Sequence, residues 1–191
     1  MDAVGLKRKK QPEAVRRSLL DAALQLGYER GLAAVTVQAV AQRAGVTKGG
    51  LFHHFPSKEA LFEGLFVDII EQLDSEIDKI IAEDREPHGT FTRAYIAVML
   101  RSGDFTGDQQ WAGLSAAFMA DPLINRHWMA WMTGRLMRHA VTDDHPTLEI
   151  ARYAADGAWY TFMGRVPDSG QIEELTARLI AITRNNPLKP R

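Results

Sequence analysis

The chain has 191 residues, of which 46% are hydrophobic and 25% charged, the proportions of an ordinary globular protein that is long enough to bury a core. It contains no cysteine, which excludes disulfide bonds, thiolate zinc sites and a cysteine nucleophile. The N-terminus has no apolar run behind its charges and no apolar stretch is long enough to span a bilayer, so we expect a cytoplasmic protein with no signal peptide and no membrane partner.

The net charge is only −1, but the charges are unevenly distributed along the chain. Residues 1–58 hold ten Lys and Arg against four Asp and Glu, whereas residues 59–191 hold thirteen against twenty. A basic N-terminal third on an acidic body is expected where one end of a protein meets a polyanion such as nucleic acid. A solvated basic tail is the alternative explanation.

In chain order, we expect a disordered basic arm over residues 1–12 and a first helix from Glu13 that stops at Gly31. Two short helices follow, Val37–Ala44 and Lys48–His54, with Thr36 and Thr47 as their N-caps.

A long fourth helix is predicted from Lys58, behind the N-cap Ser57, to about Ala82. Beyond it, helices are predicted over residues 91–101, 108–120, 122–141, 147–164 and 169–183. No strand pattern rises above noise. The predicted fold class is therefore all-α, with about nine helices.

The segment 35–58, VTVQAVAQRAGVTKGGLFHHFPSK, is typical of a helix, a glycine turn and a second short helix. Gly45 is placed to make the tight turn, and Leu51 and Phe55 point one face of the second helix into the core. The outer and flanking faces then carry a cation, small residues and imidazoles, which suits a DNA major groove. These outer residues are Lys48, Gly49, Gly50, His53 and His54.

This ordered set of residues, from about Glu13 to Leu65, resembles the DNA-binding domain of TetR-type (tetracycline-repressor-like) regulators. The resemblance implies a three-helix DNA-binding domain over residues 13–58 and a ligand-binding and dimerisation domain over residues 59–191. It implies positions that read bases or lie against them at Gln38, Lys48, Gly49, Gly50 and His53. It implies positions that hold the sugar-phosphate backbone at Thr36, Thr47, Phe52, His54 and Lys58.

One residue departs from the family pattern, which usually has tyrosine where this chain has Phe52. The phenyl ring keeps the packing but has no hydroxyl to donate to a phosphate. We therefore expect that backbone contact to be missing unless His53 or His54 supplies it.

Aromatic residues and methionines concentrate between residues 99 and 137, and such a cluster suits an amphipathic or aromatic ligand, including a cationic one. For each residue, packing in the core is the alternative. The candidate ligand-binding residues are Met99, Phe105, Trp111, Phe118, Trp128, Trp131, Met132 and Arg135.

The last two predicted helices carry small residues bordered by aromatics, and in similar proteins two such helices pair with their two-fold mates in a four-helix dimer bundle. Packing within the monomer is the alternative. Asp156, amid this apolar segment, is a buried polar contact, a counter-charge for a ligand or an exposed residue. The candidate interface residues are Ala151, Ala154, Ala155, Ala158, Trp159, Leu175, Leu179 and Ile182.

The resulting hypothesis is a homodimeric repressor that a small ligand releases from palindromic operator DNA, with no cofactor, metal site or catalytic residue. An activator or dual regulator has the same DNA chemistry and remains open. A helical enzyme or metal-binding protein is the alternative from a different class, but the histidines lack a tight ligand spacing such as HExxH. Those histidines are His88, His127, His139 and His145.

Overall fold

The structure, a computed structural model, describes residues 11–101, 121–162 and 168–184. Within these ranges the chain is all-α, as predicted. Residues 1–10 of the arm predicted over residues 1–12, and the whole helix predicted over residues 108–120, lie outside the described residues. The last two residues of the predicted arm, Gln11 and Pro12, are instead the first two residues of a helix. The helices are α1 (Gln11–Arg30), α2 (Val37–Arg43), α3 (Lys48–His54), α4 (Lys58–Glu83), α5 (Thr90–Met99), α6 (Pro122–Arg138), α7 (Ala140–Asp143), α8 (Pro146–Phe162) and α9 (Ser169–Arg184), with one 3₁₀ turn at Leu32–Ala34.

Side-chain caps fix where α2, α3 and α4 begin. The hydroxyl oxygens of Thr36, Thr47 and Ser57 each accept a hydrogen bond from the backbone N–H three residues on, at 3.2, 3.0 and 3.1 Å. Each bond satisfies one of the N–H groups that have no partner within the first turn of a helix. The three N-caps predicted from the sequence are confirmed.

The turn between α2 and α3 depends on Gly45, whose φ of +69° lies in the left-handed region that favours glycine. The backbone N–H of Gly45 donates to the carbonyl of Gln42 at 3.2 Å, and that of Val46 donates to the carbonyl of Ala41 at 3.0 Å. This pair of bonds is the Schellman motif, which closes the end of a helix. It sets the sharp angle at which α3 leaves α2.

A first hydrophobic core lies among α1, α2, α3 and the N-terminal half of α4, where the periodic apolar residues of each helix converge. Ile124 of α6 is buried in the same cluster, so the body of the protein contacts this core directly. Its fully buried residues include Leu19, Ala23, Val40, Leu51, Leu61 and Leu65.

A second core lies among the C-terminal half of α4 and α5, α8 and α9, with α6 packed against it. Ile77 of α4 is fully buried here, whereas Leu61 and Leu65 of the same helix are buried in the first core. Trp128 of α6 packs against both clusters. The apolar stripe predicted along the fourth helix therefore contributes to two cores.

The single helix predicted over residues 122–141 is in fact two helices, because the chain breaks at His139 between α6 and α7. The break brings buried Asp143 to the start of α5, where its carboxylate accepts hydrogen bonds from the backbone N–H groups of Phe91 and Thr92 at 3.3 and 2.8 Å. Gly89 precedes α5 and has no side chain to cap it. Asp143 thus caps α5 from another helix, a contact 51 residues away in sequence.

Candidate functional site

The solvent-facing side of α3 is a strip formed by Lys48, Gly49, Phe52 and His53, all of which are exposed. The opposite side carries Leu51, which is fully buried in the first core. Residues four apart share a helix face, so Lys48 lies beside Phe52, and Gly49 beside His53. Three of the five residues predicted for the outer and flanking faces lie on this exposed side, whereas Gly50 and His54 are half-buried.

Phe52 belongs to this outward strip and is 39% exposed. The Nζ of Lys48 lies 5.7 Å from the centroid of its ring, within the range of a cation–π contact. The phenyl ring therefore presents an apolar surface next to a cation.

His53 and His54 point in different directions, as adjacent residues of a helix must. Their ring centroids are 5.5 Å apart with nearly perpendicular planes. His53 is exposed and His54 is half-buried.

Two predicted contact residues flank α3 on the neighbouring helices. Gln38, near the start of α2, is exposed. Lys58, in the first turn of α4, is half-buried, with its Nζ 5.1 Å from the ring centroid of Phe62. Arg43, which the sequence reasoning did not single out, pairs with Glu29 at 2.6 Å and so joins the ends of α1 and α2.

The contact between α3 and α4 is unusually close at Gly64. A Cβ at this position would lie 2.7 Å from the Cε1 of Phe55, whose ring is buried and also lies 4.7 Å from the guanidinium of Arg16. Only glycine allows the backbone of α4 to approach the end of α3 so closely. The sequence reasoning did not identify this position, because nothing local distinguishes Gly64 from any other glycine in a helix.

An aromatic group lies in the body where α5 and α6 meet. The ring centroids of Trp128 and Trp131 are 5.0 Å apart, and the ring of fully buried Tyr95 lies 6.5 and 6.4 Å from them. Met99 and Met132 pack against the second core beside this group. Three other candidate ligand-binding residues, Phe105, Trp111 and Phe118, lie outside the described residues.

Arg135, another candidate ligand residue, is 1% exposed and pairs with carboxylates of its own chain. Its guanidinium donates to the carboxylates of Asp74 and Asp78, both at 2.5 Å, and the indole N–H of Trp131 donates to Asp74 at 2.6 Å. Burial alone would raise the pKa of Asp74, but the hydrogen bonds from Trp131 and Arg135 outweigh burial and hold that pKa below its ordinary value. These bonds fasten α6 to α4.

A groove of about 510 Å³ lies between the end of α4, the loop that follows it, α5 and α9. Ile80, Ala97 and Ile180 form its apolar side, and Arg93 and Arg184 are among its charged residues. No candidate ligand-binding residue in the described part of the chain lines this groove.

The predicted dimer residues divide into two sets. Ala151, Ala155 and Leu179 are buried in the protomer's own second core, so a contact with a second copy is not available to them. Ala154 and Ile182 are exposed. Half-buried residues that pack against the second core make up the rest of the prediction, namely Ala158, Trp159 and Leu175.

The exposed face of α8 is apolar, and the sequence reasoning did not include Ile150 and Tyr153 in it. Ile150, Tyr153 and Tyr160 are 65%, 67% and 69% exposed, and Ala154 and Gly157 lie between them at helical spacing. The spacing of tyrosines beside small residues could have indicated an exposed apolar face in the sequence. The sequence alone did not indicate which of the two faces pointed inward.

Asp156 is half-buried and makes a polar contact within the protein, which is nearest to the first of the three interpretations that its sequence context left open. The hydroxyl of Tyr95 donates to its carboxylate across the α5–α8 contact. Burial raises the pKa of Asp156, and the bond from Tyr95 and the charge of Arg152 only partly offset this.

The described residues include neither a cluster suited to a metal ion nor a helix suited to a membrane. No three side chains of His, Asp or Glu come together there in a way that would hold a metal ion. No helix within the same ranges is long and apolar enough to cross a membrane.

Two family profiles match the chain. The first, described as "Bacterial regulatory proteins, tetR family", matches residues 19–65, and the second, described as "Tetracyclin repressor-like, C-terminal domain", matches residues 89–184. Together they include most of the buried residues of both hydrophobic cores.

Among proteins of similar sequence, the HTH-type transcriptional repressor KstR of Rhodococcus jostii is 30% identical over 186 residues, which cover 86% of this chain and 82% of the relative. The HTH-type transcriptional repressor KstR2 of the same species is 36% identical over 87 residues, and that match spans 44% of this chain and only 43% of the relative. Among solved structures, the multidrug binding protein EbrR complexed with malachite green has a TM-score of 0.65 at 22% identity, covering 86% of this chain and 96% of that one.

Proposed function

The chain belongs to the TetR family of bacterial regulatory proteins, and on that premise we propose that it is a repressor that a small amphipathic or aromatic ligand releases from operator DNA. It is a DNA-binding transcriptional regulator. Both matched relatives from Rhodococcus jostii are named repressors, which favours repression over activation. We assign it no catalytic role, and because its target is chromosomal DNA we place it in the cytoplasm.

The observation that carries the proposal is the outward strip of α3, held on a rigid three-helix frame. Lys48 and His53 extend from it, and Gly49 offers bare backbone for a close approach to DNA. The net positive charge of residues 1–58 supplies affinity for phosphates, whereas contacts to base edges supply specificity. Phe52 is the fourth residue of the strip, and the flanking residues of the proposed DNA surface are Thr36, Gln38, Thr47, Gly50, His54 and Lys58.

A helix of seven residues reads few base pairs, so we infer that two copies bind together. The exposed face of α8, with Ile150, Tyr153, Ala154, Gly157 and Tyr160, is the surface we propose for pairing with a second copy. Ile182 of α9, the helix that follows and packs against α8, is also exposed. Two-fold pairing would present two α3 helices to successive major grooves, which requires a palindromic operator.

The proposed release of the protein from operator DNA depends on α4 and α6, which both contribute to the two cores. α4 is buried at Leu65 in the first core and at Ile77 in the second, and Trp128 of α6 touches both. A ligand that binds near the Tyr95, Trp128 and Trp131 group would displace α4 and α6 together, and α3 with them. Release requires only that the ligand bind the displaced arrangement more tightly than the DNA-competent one.

The test is fluorescence anisotropy of the purified protein on the DNA upstream of its own gene, against scrambled DNA, over a range of salt concentrations. We expect tight and salt-dependent binding to the native DNA only. Lys48→Ala should weaken that binding by about 1–3 kcal/mol per half-site if Lys48 contacts a base.

Lys79→Ala is the matched control, because Lys79 is exposed on α4 and pairs with Glu76 at 2.6 Å in the acidic body of the protein. It removes the same charge and should leave affinity unchanged. Equal weakening by the two substitutions would contradict the assignment of α3 as the reading helix. A reporter gene under the same DNA should become more active when the regulator is deleted; lower activity would identify an activator.

A further inference from the structure

Phe52 is the apolar member of the strip on α3 that faces away from the protein core. It is 39% exposed, whereas Leu51 and Phe55 on the other side of the same helix are 0% and 3% exposed. The core is therefore complete without this ring. Its position in sequence, one helical turn after Lys48, places it on the same face as that cation.

The distance between the Lys48 and Phe52 side chains limits how far apart their contacts with DNA can lie. Its Nζ lies 5.7 Å from the centroid of the Phe52 ring. Successive base pairs are about 3.4 Å apart along B-form DNA. Contacts made by the two side chains would therefore lie within two base pairs of each other.

The major groove offers a phenyl ring few partners. Base edges there carry hydrogen-bond donors and acceptors, and the apolar group among them is the C5-methyl of thymine. Contact between an exposed phenyl ring and that methyl removes apolar surface of both from water, which is favourable. Phenylalanine has no hydroxyl with which to bind a phosphate, so its ring has nothing to gain from the charged backbone.

We propose that Phe52 is a specificity-determining residue that contacts a thymine methyl group, within two base pairs of the base that Lys48 contacts. The inference rests on the proposed function, because it requires that α3 enters the major groove of an operator. It assigns Phe52 a role in reading bases, in place of the role in holding the sugar-phosphate backbone that the family resemblance implied.

The test begins with selection of preferred sites by the full-length protein from a pool of random duplex DNA. Each thymine of the selected half-site is then replaced in turn by deoxyuridine, which removes only the methyl group. At one thymine per half-site we expect deoxyuridine to weaken binding about fourfold, the equivalent of one buried methyl or methylene group. At that position 5-methyldeoxycytidine should bind better than deoxycytidine by a similar factor.

Variants assign the effect to a side chain. Phe52→Ala should bind the thymine and deoxyuridine sites equally, and Phe52→Leu, which keeps an apolar side chain, should retain part of the difference. Lys48→Ala is the matched control from the same strip, since it should weaken binding to both DNAs and leave their ratio unchanged. Circular dichroism melting checks that each variant is folded.

Two outcomes would overturn the proposal. One is that deoxyuridine has no effect at any thymine, which would mean that the ring lies against sugar or solvent. The other is that the thymine preference persists unchanged in Phe52→Ala, which would mean that another group reads the methyl. Failure to select any preferred DNA would contradict the proposed function itself, and this inference with it.

Discussion

At the level of single residues, the direction of the pKa shift distinguishes Asp156 from Asp74 and Asp84. The pKa values of Asp74 and Asp84 are lowered, because hydrogen bonds from Trp131 and Arg135 to the first and from Arg93 to the second outweigh burial. Asp156 accepts a bond from Tyr95, but burial still raises its pKa. At neutral pH its ionised form therefore opposes folding.

We expect Asp156→Asn to increase the free energy of unfolding at pH 7. The amide oxygen can still accept the hydrogen bond from Tyr95, while the cost of a half-buried charge is removed. Because the folded pKa is raised, the cost is absent below the ordinary pKa of aspartate, about 3.9, and grows as the pH rises through the folded value. The gain should therefore shrink as the pH is lowered from 7 toward 4.

Urea unfolding at pH 7.0, 5.5 and 4.5 measures this effect. Asp144→Asn, a substitution of an exposed neighbour in the α7–α8 turn, is the control and should change stability little at any of these pH values. A gain from Asp156→Asn that stays constant with pH would refute the explanation by buried charge.

At the level of helices, α4 meets the end of α3 at a contact that leaves no room for a side chain. The missing Cβ of Gly64 would overlap the buried ring of Phe55, which is held between α4 and Arg16. The fit fixes how α3 sits relative to the helix that continues into the body. Rigid packing of this kind transmits a displacement of α4 to α3 instead of absorbing it.

We expect Gly64→Ala to lower the free energy of unfolding by about 1–2 kcal/mol, because overpacking outweighs the gain in helix propensity of up to ~1 kcal/mol. Gly134→Ala is the matched control. It lies within α6, and its added Cβ would meet no atom within 4 Å. This control should raise stability by about 0.5–1 kcal/mol. Urea unfolding compares the two, and equal stabilisation by both would show that the contact at Gly64 is loose.

At the level of the whole molecule, the proposed DNA surface and the proposed pairing surface lie on different helices. α3 carries the first, and α8, which is linked to α3 through the two cores, carries the second. The spacing of two α3 helices in a dimer would therefore depend on every contact between the cores. That dependence is the physical basis on which a ligand in the body would control binding to DNA.

We expect Gly157→Glu to prevent dimer formation, because a charged side chain would be forced into an apolar interface. Within the protomer the added Cβ would meet no atom within 4 Å, so the fold should tolerate the change. Gly134→Glu makes the same substitution on the exposed side of α6 and should remain dimeric. Light scattering coupled to size-exclusion chromatography gives the mass, and a dimeric Gly157→Glu variant would exclude this face of α8.

Sequence alone determined the parts of this protein that depend on short-range interactions. The N-caps at Thr36, Thr47 and Ser57 and the turn at Gly45 are made by residues a few positions apart, so their signals are local. The membership of the family was also evident from the motif. The assignment of individual DNA contacts stays a prediction.

Only the tertiary structure decided which face of a helix points inward and which polar groups meet. Tyr95 reaches Asp156 and Arg135 reaches Asp74 across 61 residues, and no local pattern specifies such a partner. The same holds for α8, where small residues occur on both faces: Ala151 and Ala155 pack inward while Ala154 and Gly157 remain exposed. Periodicity in the sequence shows that a helix has two faces. Which face is buried is determined by packing against helices that are distant in sequence.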